Sequence, residues 1–175
     1  MSGIVIYNSQ TGFTKKYAEW ISSASGYECI EFSKAKRMKL NDYQTIVFGG
    51  WFIAGSISKL KWLKQNLNSL KGKKILVYGV GGSPIESPDI PGVLENLFTE
   101  EEKAIAKIKC FYCPGGFNYE KMKPKYKLMM KIFLKVLNSQ PNKTEKDEKM
   151  IEMISSSYDI TDKKYIEPIL SEINS

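Results

Sequence analysis

Histidine is absent from the 175-residue sequence, and cysteine is scarce. Without histidine, the chain offers no histidine ligand for zinc or haem iron and no Ser-His or Cys-His pair for nucleophilic catalysis. The cysteines, Cys29, Cys110 and Cys113, are odd in number, which disfavours a disulfide framework and agrees with a reducing compartment. Redox chemistry would therefore depend on a bound cofactor, and no metal site is predicted.

Two of these cysteines, Cys110 and Cys113, form a Cys-x-x-Cys pattern on a predicted strand. Residues three apart on a strand point to opposite faces of the sheet. Redox-active pairs normally lie at a helix N-terminus, which lowers the thiol pKa. The pattern therefore predicts buried, unreactive cysteines.

Targeting and membrane-spanning segments are also missing. No cationic start leads into an apolar run with a small-residue cleavage site, and no apolar run approaches the ~20 residues that cross a bilayer. These absences predict a cytoplasmic protein. The length suffices for a full hydrophobic core, and we expect a single domain over residues 1–175.

Lysine, in contrast, is abundant. The net charge of +7 and the pI of about 9.1 come almost entirely from lysine. They indicate attraction to acidic partners: anionic lipid, an acidic redox protein, a carboxylate-bearing substrate or nucleic acid. Nucleic acid is the least expected of these, because no recognised motif accompanies the charge.

Predicted strands and helices alternate over the first 115 or so residues. The strands are predicted at Ile4–Tyr7, Tyr27–Phe32, Thr45–Phe48, Lys73–Val80 and Lys109–Cys113. This order implies parallel strands joined by right-handed crossovers. The sequence thus predicts an α/β fold: a doubly wound, five-stranded parallel sheet of order 2-1-3-4-5 in three αβα layers. A ligand crevice is expected at the carboxyl ends of strands one and three.

A polar turn joins the first strand to the first helix. Ser9, Thr11 and Thr14 supply hydroxyls, Gly12 permits close approach of a ligand, and the first helical turn offers N–H groups at the positive end of the helix dipole. A phosphate without a metal suits this chemistry, while a plain N-cap would explain one hydroxyl. The P-loop and Gly-x-Gly-x-x-Gly patterns are absent.

The same turn resembles the flavodoxin signature Ser/Thr-x-Thr-Gly-x-Thr. The matches are Ser9, Thr11, Gly12 and Thr14. This resemblance implies a flavodoxin-like fold and FMN as the cofactor, with its phosphate held by the turn. The residues so indicated are Ser9, Gln10, Thr11, Gly12, Phe13 and Thr14.

Glycine-rich segments also follow the third and fourth predicted strands. The segment Gly49–Ser56 is unusually apolar for a loop, and its Trp51 or Phe52 would stack on the flavin ring, unless both are ordinary core residues. The segment Gly79–Pro88 has no aromatic residue, which would leave one ring face against Pro84 or open. The predicted ring-binding residues are Gly50, Trp51, Phe52, Ile53, Ala54, Gly79, Val80, Gly81, Gly82 and Ser83.

A basic helical extension is predicted at about 119–139, and a C-terminal helix at about 162–174. Lysines recur at intervals of four along the extension, beside a large apolar surface. Such a helix either packs on the sheet with its lysines in water or lies in a membrane interface with its lysines at headgroup level. The candidates for substrate or membrane contact are Lys123, Lys127, Lys131 and Lys135.

Taken in order, these features resemble one group of flavodoxin-domain proteins. A Pro-Gly-Gly turn at Pro114–Gly116, a Tyr- and Lys-rich helix and the charged segment Thr144–Glu148 are similar to the family that contains the bacterial menaquinone-dependent protoporphyrinogen oxidases. The resemblance implies an FMN-dependent oxidoreductase that passes two electrons from a porphyrinogen to a quinone, attached to the inner face of the membrane. The alternatives are a soluble electron carrier without its own substrate and a flavin-free interaction module that uses the basic helix.

Overall fold

A computed structural model describes residues 2–175, except for the side chain of Lys146. The strands are β1 Gly3–Tyr7, β2 Glu28–Glu31, β3 Thr45–Ile53, β4 Ser56–Ile57, β5 Lys74–Gly81, β6 Lys107–Pro114, β7 Gly116–Phe117 and β8 Tyr158–Asp159. The main sheet runs β2-β1-β3-β5-β6, with every neighbouring pair parallel. This is the predicted 2-1-3-4-5 order, because β4 is only a short antiparallel addition to β3.

Helices cover both faces of this sheet. They are α1 Phe13–Ser25, α2 Phe32–Ala35, α3 Leu60–Asn66, α4 Ile90–Glu95, α5 Glu100–Ile105, α6 Pro124–Ser139, α7 Glu145–Ile154 and α8 Glu167–Asn174, with 3₁₀ turns at Leu67–Leu70 and Lys163–Ile166. Within residues 2–175, no helix combines the length and the apolar character needed to span a bilayer.

Successive side chains of each strand point to opposite faces of the sheet, so the core consists of two apolar clusters, one on each face. Ile4 and Ile6 of β1 point to the face covered by α3, while Val5 points to the face covered by α1 and α8. Because the central strands β1, β3 and β5 are buried on both faces, their sequences are nearly continuous apolar runs. The result is the predicted three-layer arrangement.

The segment Gly49–Ser56 is not a loop after the third strand, as the sequence had suggested. Strand β3 continues to Ile53 and returns through a tight turn, in which Ala54 and Gly55 have φ angles of 48° and 74°. Gly49 and Gly50 in this strand leave room for neighbouring side chains to pack against the backbone. A Cβ on Gly49 would lie 1.9 Å from Cζ of Tyr78 on the neighbouring strand.

The two predicted C-terminal helices have different bounds in the structure. The basic helix α6 begins at Pro124 rather than near residue 119, and its first turn accommodates the proline because a helix start needs no N–H there. The C-terminal helix begins as the 3₁₀ turn Lys163–Ile166 and continues as α8. Between them, α7 is capped at its start by Thr144, whose side chain and that of Asp147 form a capping box.

Candidate functional site

A cavity of about 530 Å³ lies at the carboxyl ends of β1, β3 and β5. This is the edge where the strand order reverses, and ligands of doubly wound sheets bind there. Of the residues predicted to hold a cofactor, the structure places these in the cavity wall: Gln10, Thr11, Phe13, Thr14, Trp51, Phe52, Ile53, Ala54, Val80, Gly81 and Gly82. We call this cavity the cleft.

The turn after β1 is the polar end of the cleft. Gly12 has a φ angle of 108°, which a residue with a side chain rarely adopts, and its N–H donates to Ser9 Oγ at 3.2 Å. Asn8 fixes the turn to β3, because its N–H donates to the carbonyl of Gly49 at 2.8 Å and its side-chain amide donates to Ser58 Oγ at 2.9 Å. The start of α1 is thereby held against the cleft.

The donors at this end fit a phosphate group. Gln10 Nε2 is buried and has no hydrogen-bond partner among the residues that the structure describes. The first N–H groups of α1 lack acceptors within the helix, and the helix dipole favours an anion there. Thr14 is almost fully buried, and none of the described cleft residues is acidic. An unsatisfied amide, two threonines and a helix N-terminus are donors that suit a phosphate bound without a metal.

The end of β3 forms an aromatic wall of the cleft. Trp51 contacts Tyr126 of α6 edge-on, with ring centroids 5.2 Å apart, so this wall is joined to the basic helix. Phe52 packs against Tyr112 and lies over Gly79, where a Cβ would come within 2.2 Å of its ring. Phe52 packs on the core, and both rings line the cleft. Stacking of either ring on a flavin stays a prediction.

Phe117 supplies the aromatic residue that the Gly79–Pro88 segment lacks. Its ring packs with that of Tyr158 at a centroid distance of 5.8 Å, and both lie over Gly82, whose carbonyl accepts a 2.8 Å hydrogen bond from the Tyr158 hydroxyl. Pro84 does not line the cleft, although it lines a second cavity of about 590 Å³ beside it. The apolar part of the cleft, bounded by rings, suits the flavin of FMN.

Several predicted site residues lie outside the cleft wall. Ser9 and Gly12 shape the polar turn, Gly50 and Gly79 lie within β3 and β5, and Ser83 lines the second cavity. The four candidate lysines, Lys123, Lys127, Lys131 and Lys135, line neither of these two cavities.

The sequence did not indicate the cleft residues that follow β6. They are Gly116, Phe117, Asn118, Met122, Tyr126, Met129, Met130 and Phe133. Tyr126 and Met130 are four residues apart on α6 and therefore lie on one side of it, but nothing local in the sequence showed that this side covers the cleft.

The cysteines take no part in the cleft. Cys110 packs with the cluster on one face of the sheet and Cys113 with the cluster on the other, as their spacing predicted. Burial raises the pKa of the Cys110 thiol from 9.0 to about 11 and raises that of Cys113 further. At neutral pH these thiols are protonated and poor nucleophiles.

The sheet is doubly wound and parallel, and a helix N-terminus and an apolar cleft lined by aromatic rings lie where its strand order reverses. These features define a class of α/β proteins that hold a cofactor with a phosphate and an aromatic ring. The comparison with known families makes this specific. Residues 4–145 match the flavodoxin domain family, so the chain belongs to that family.

Solved structures with a similar fold include flavodoxins and flavoproteins. A flavodoxin from the domain Archaea is 17% identical, with 100% of both chains covered and a TM-score of 0.48. Oxidised Flavodoxin 2 from Bacillus cereus is 19% identical over 64% of this chain and 84% of its own, with a TM-score of 0.46. A flavoprotein in complex with FMN from Lactobacillus acidophilus NCFM is 16% identical over 65% and 91% of the two chains, with a TM-score of 0.46. No curated protein matches the sequence significantly.

Proposed function

We propose that this protein binds FMN and carries electrons on it, as a flavodoxin-like oxidoreductase or electron-transfer protein. The observation that carries this proposal is the cleft, in which the unsatisfied Gln10 amide and the start of α1 lie at one end and aromatic walls at the other. The flavin supplies the redox chemistry when it is bound. Membership of the flavodoxin domain family supports the same cofactor.

The protein's own part is binding and orientation. At the polar end, the Gln10 amide, the hydroxyls of Thr11 and Thr14 and the first N–H groups of α1 would donate to the phosphate. At the apolar end, Trp51 and Phe117 would contact the ring and exclude water from it. No side chain of the cleft is needed as an acid or a base.

The test is a titration of the purified protein with FMN, followed by visible absorbance and by thermal unfolding. Thr14→Val should weaken FMN binding about tenfold, because a lost hydrogen bond to a charged group costs about 1.5 kcal/mol or more. Thr45→Val is the matched control. Thr45 is equally buried but lies at the opposite end of β3, so its loss should leave FMN affinity unchanged. A protein that gains neither a flavin band nor a thermal shift would refute the proposal.

At a finer level, we propose that the electron donor and acceptor are apolar ring compounds, with a porphyrinogen as donor and a quinone as acceptor. The second cavity supports this, because it adjoins the cleft through Gly82, Phe117, Met130 and Phe133. Three methionines line it, Met130, Met150 and Met153, and methionine adapts readily to irregular apolar ligands.

Anaerobic titration of the FMN-loaded protein distinguishes this chemistry from that of a soluble carrier. Reduction by protoporphyrinogen and reoxidation by a menaquinone analogue are expected for the oxidoreductase. A protein that exchanges electrons only with a reductase protein would instead be a carrier, whose partner is acidic because this chain carries a charge of +7.

A further inference from the structure

A buried hydroxyl connects the two ends of the cleft. Ser58 directly follows β4, and only 8% of it is exposed. Its Oγ accepts a 2.9 Å hydrogen bond from the side-chain amide of Asn8 and a 3.1 Å hydrogen bond from the backbone N–H of Trp51. Asn8 follows β1 at the polar end, and Trp51 belongs to the aromatic wall. Ser58 therefore contacts a residue of each end, although it does not line the cleft itself.

The role of this hydroxyl differs from the usual role of a serine near a helix start. Such a serine commonly caps the helix by accepting hydrogen bonds from its first N–H groups. The residue at the cap position of α3 is Lys59, whose side chain makes no capping hydrogen bond. The hydrogen bonds that Ser58 Oγ accepts from the described residues come from Asn8 and Trp51, and not from α3. Helix capping therefore does not explain the buried hydroxyl.

The backbone on both sides holds Ser58 in this position. Its N–H donates to the carbonyl of Trp51 at 2.9 Å, so two hydrogen bonds join these residues. A Cβ on Gly50 would lie 2.6 Å from the carbonyl oxygen of Ser58 and 2.9 Å from its Oγ, so the close approach needs a glycine. The next residue, Lys59, has a φ angle of 67°, which a residue with a side chain seldom adopts. The chain thus leaves β4 through a strained turn directly after Ser58.

We propose that Ser58 is a positioning residue that fixes the distance between the polar end of the cleft and its aromatic wall. A ligand with a phosphate at one end and an aromatic ring at the other can then contact both ends at once. After the first contact, the second is intramolecular and needs no further loss of translational freedom. This role of Ser58 rests on the proposed binding of FMN.

The consequence is a difference between FMN and riboflavin, which has the same ring but no phosphate. Riboflavin would engage the aromatic wall alone, so its affinity should depend little on the distance to the polar end. FMN would need both ends at one spacing. Without the Ser58 hydroxyl, the amide of Asn8 and the N–H of Trp51 lose their acceptor, and both ends are released to turn towards water. The preference for FMN over riboflavin should therefore fall.

Titration of the full chain with each flavin, followed by flavin fluorescence, measures this preference. Ser58→Ala should weaken FMN binding about tenfold and riboflavin binding less than about threefold. Ser22→Ala is the matched control, because the Ser22 hydroxyl donates to the carbonyl of Tyr27 at 2.7 Å near the end of α1 that is far from the cleft. That variant should keep both affinities.

A double-mutant cycle tests whether Ser58 acts through Asn8. Asn8→Ala removes the donor on the polar side and leaves the hydrogen bond to Trp51 in place. Asn8→Ala alone should lower the preference for FMN, which tests the same link if Ser58→Ala does not fold. Because both substitutions break one hydrogen bond, the double variant should lose no more of the preference than Ser58→Ala. Additive losses would overturn the proposal.

A measurement without ligand separates this role from the proposed function. In the free protein, Ser58→Ala should speed the hydrogen exchange of the Trp51 amide about tenfold or more, measured by NMR, and leave that of Val5 in β1 unchanged. Unchanged exchange at Trp51 would overturn the positioning role. A wild type that binds neither flavin would refute the proposed function, and with it a role of Ser58 in ligand binding. A wild type that binds FMN, with an unchanged preference in Ser58→Ala and Asn8→Ala, would overturn the positioning role alone.

Discussion

Gly49 shows how closely the strands approach beneath the cleft. The ring of Tyr78 fills the space that a side chain at Gly49 would need, and the Tyr78 hydroxyl donates to the carbonyl of Thr14 at 3.2 Å. Burial raises the pKa of Tyr78 well above its usual value, so this hydroxyl stays protonated and keeps donating. Gly49 therefore helps to position the start of α1, although it does not line the cleft.

We expect Gly49→Ala to lower the free energy of unfolding by about 3 kcal/mol, since the new methyl group would overlap a fully buried ring. Gly92→Ala is the control. No atom lies within 4 Å of a Cβ built on Gly92, which is in α4, so alanine there should be neutral or stabilising by up to about 1 kcal/mol. Urea unfolding of both variants measures the difference. Equal stabilities of the two variants would contradict the packing role of Gly49.

Among single residues, the sequence predicted the roles of those whose partners lie close by in the chain. The hydroxyls and the glycine of the turn after β1 lie within six residues, so their pattern was visible in the sequence. Gly49 and Gly50 were interpreted as the start of a loop that approaches the flavin ring. In the structure, Gly49 packs against Tyr78 on the neighbouring strand β5, and Gly50 packs against Ser58, which follows the tight turn after β3. Both partners come later in the sequence than the glycines. The partner of a glycine cannot be deduced from its neighbours in the sequence.

Helices α1 and α6 are of similar length but differ in how the fold holds them. Five residues of α1 are buried, namely Phe13, Thr14, Tyr17, Ala18 and Ile21, whereas Leu137 alone is buried in α6. The Tyr17 hydroxyl also donates to the carbonyl of Pro114 at 2.5 Å and accepts from the N–H of Asp162. The contact of Trp51 with Tyr126 joins α6 to β3.

We expect the backbone amides of α6 to exchange with deuterium at least about tenfold faster than those of α1, because a helix with little buried surface opens locally at low cost. Hydrogen exchange followed by mass spectrometry measures both helices in one sample. Equal protection of the two helices would show that α6 is held more firmly than its contacts indicate.

The elements of the sheet could be predicted, but the position of α6 could not. Apolar runs between glycines located the strands, and βαβ connectivity then fixed their order. The periodicity of α6 fitted two placements, on the sheet or in a membrane interface. In the structure, α6 covers the cleft at the edge of the sheet. No periodicity distinguishes these placements, because the same apolar side can be buried by a sheet, a cofactor or a lipid.

The stability of the whole molecule should depend on pH in the alkaline range. Burial raises the pKa of the Cys29 and Cys110 thiols from 9.0 to about 11. Between these values the unfolded chain has lost protons that the native protein still holds. The free energy of unfolding therefore falls as pH rises from about 9 to about 11, and its full value is present below pH 9.

Chemical denaturation at a series of pH values measures this effect. The free energy of unfolding should be nearly constant from pH 7 to about 8.5 and should then decrease. Cys110→Ala should make the decrease shallower, because alanine removes one of the groups that cause it. Buried tyrosines such as Tyr112, whose pKa is also raised by burial, extend the decrease above pH 10. An unchanged slope in Cys110→Ala would mean that this thiol titrates alike in the folded and unfolded chains.

The uneven distribution of charge has a consequence before any contact is made. Segment 121–144 holds seven lysines and no acidic residue, and the charges of the remaining sequence balance, so the net positive charge is displaced towards α6 and the molecule has a dipole. A dipole rotates in the field of a charged surface within roughly a Debye length, about 8 Å at physiological salt. The molecule would thus arrive at an anionic surface already turned, with α6 leading and the mouth of the cleft beside it. Its encounter rate would depend on the orientation of this dipole as well as on its net charge.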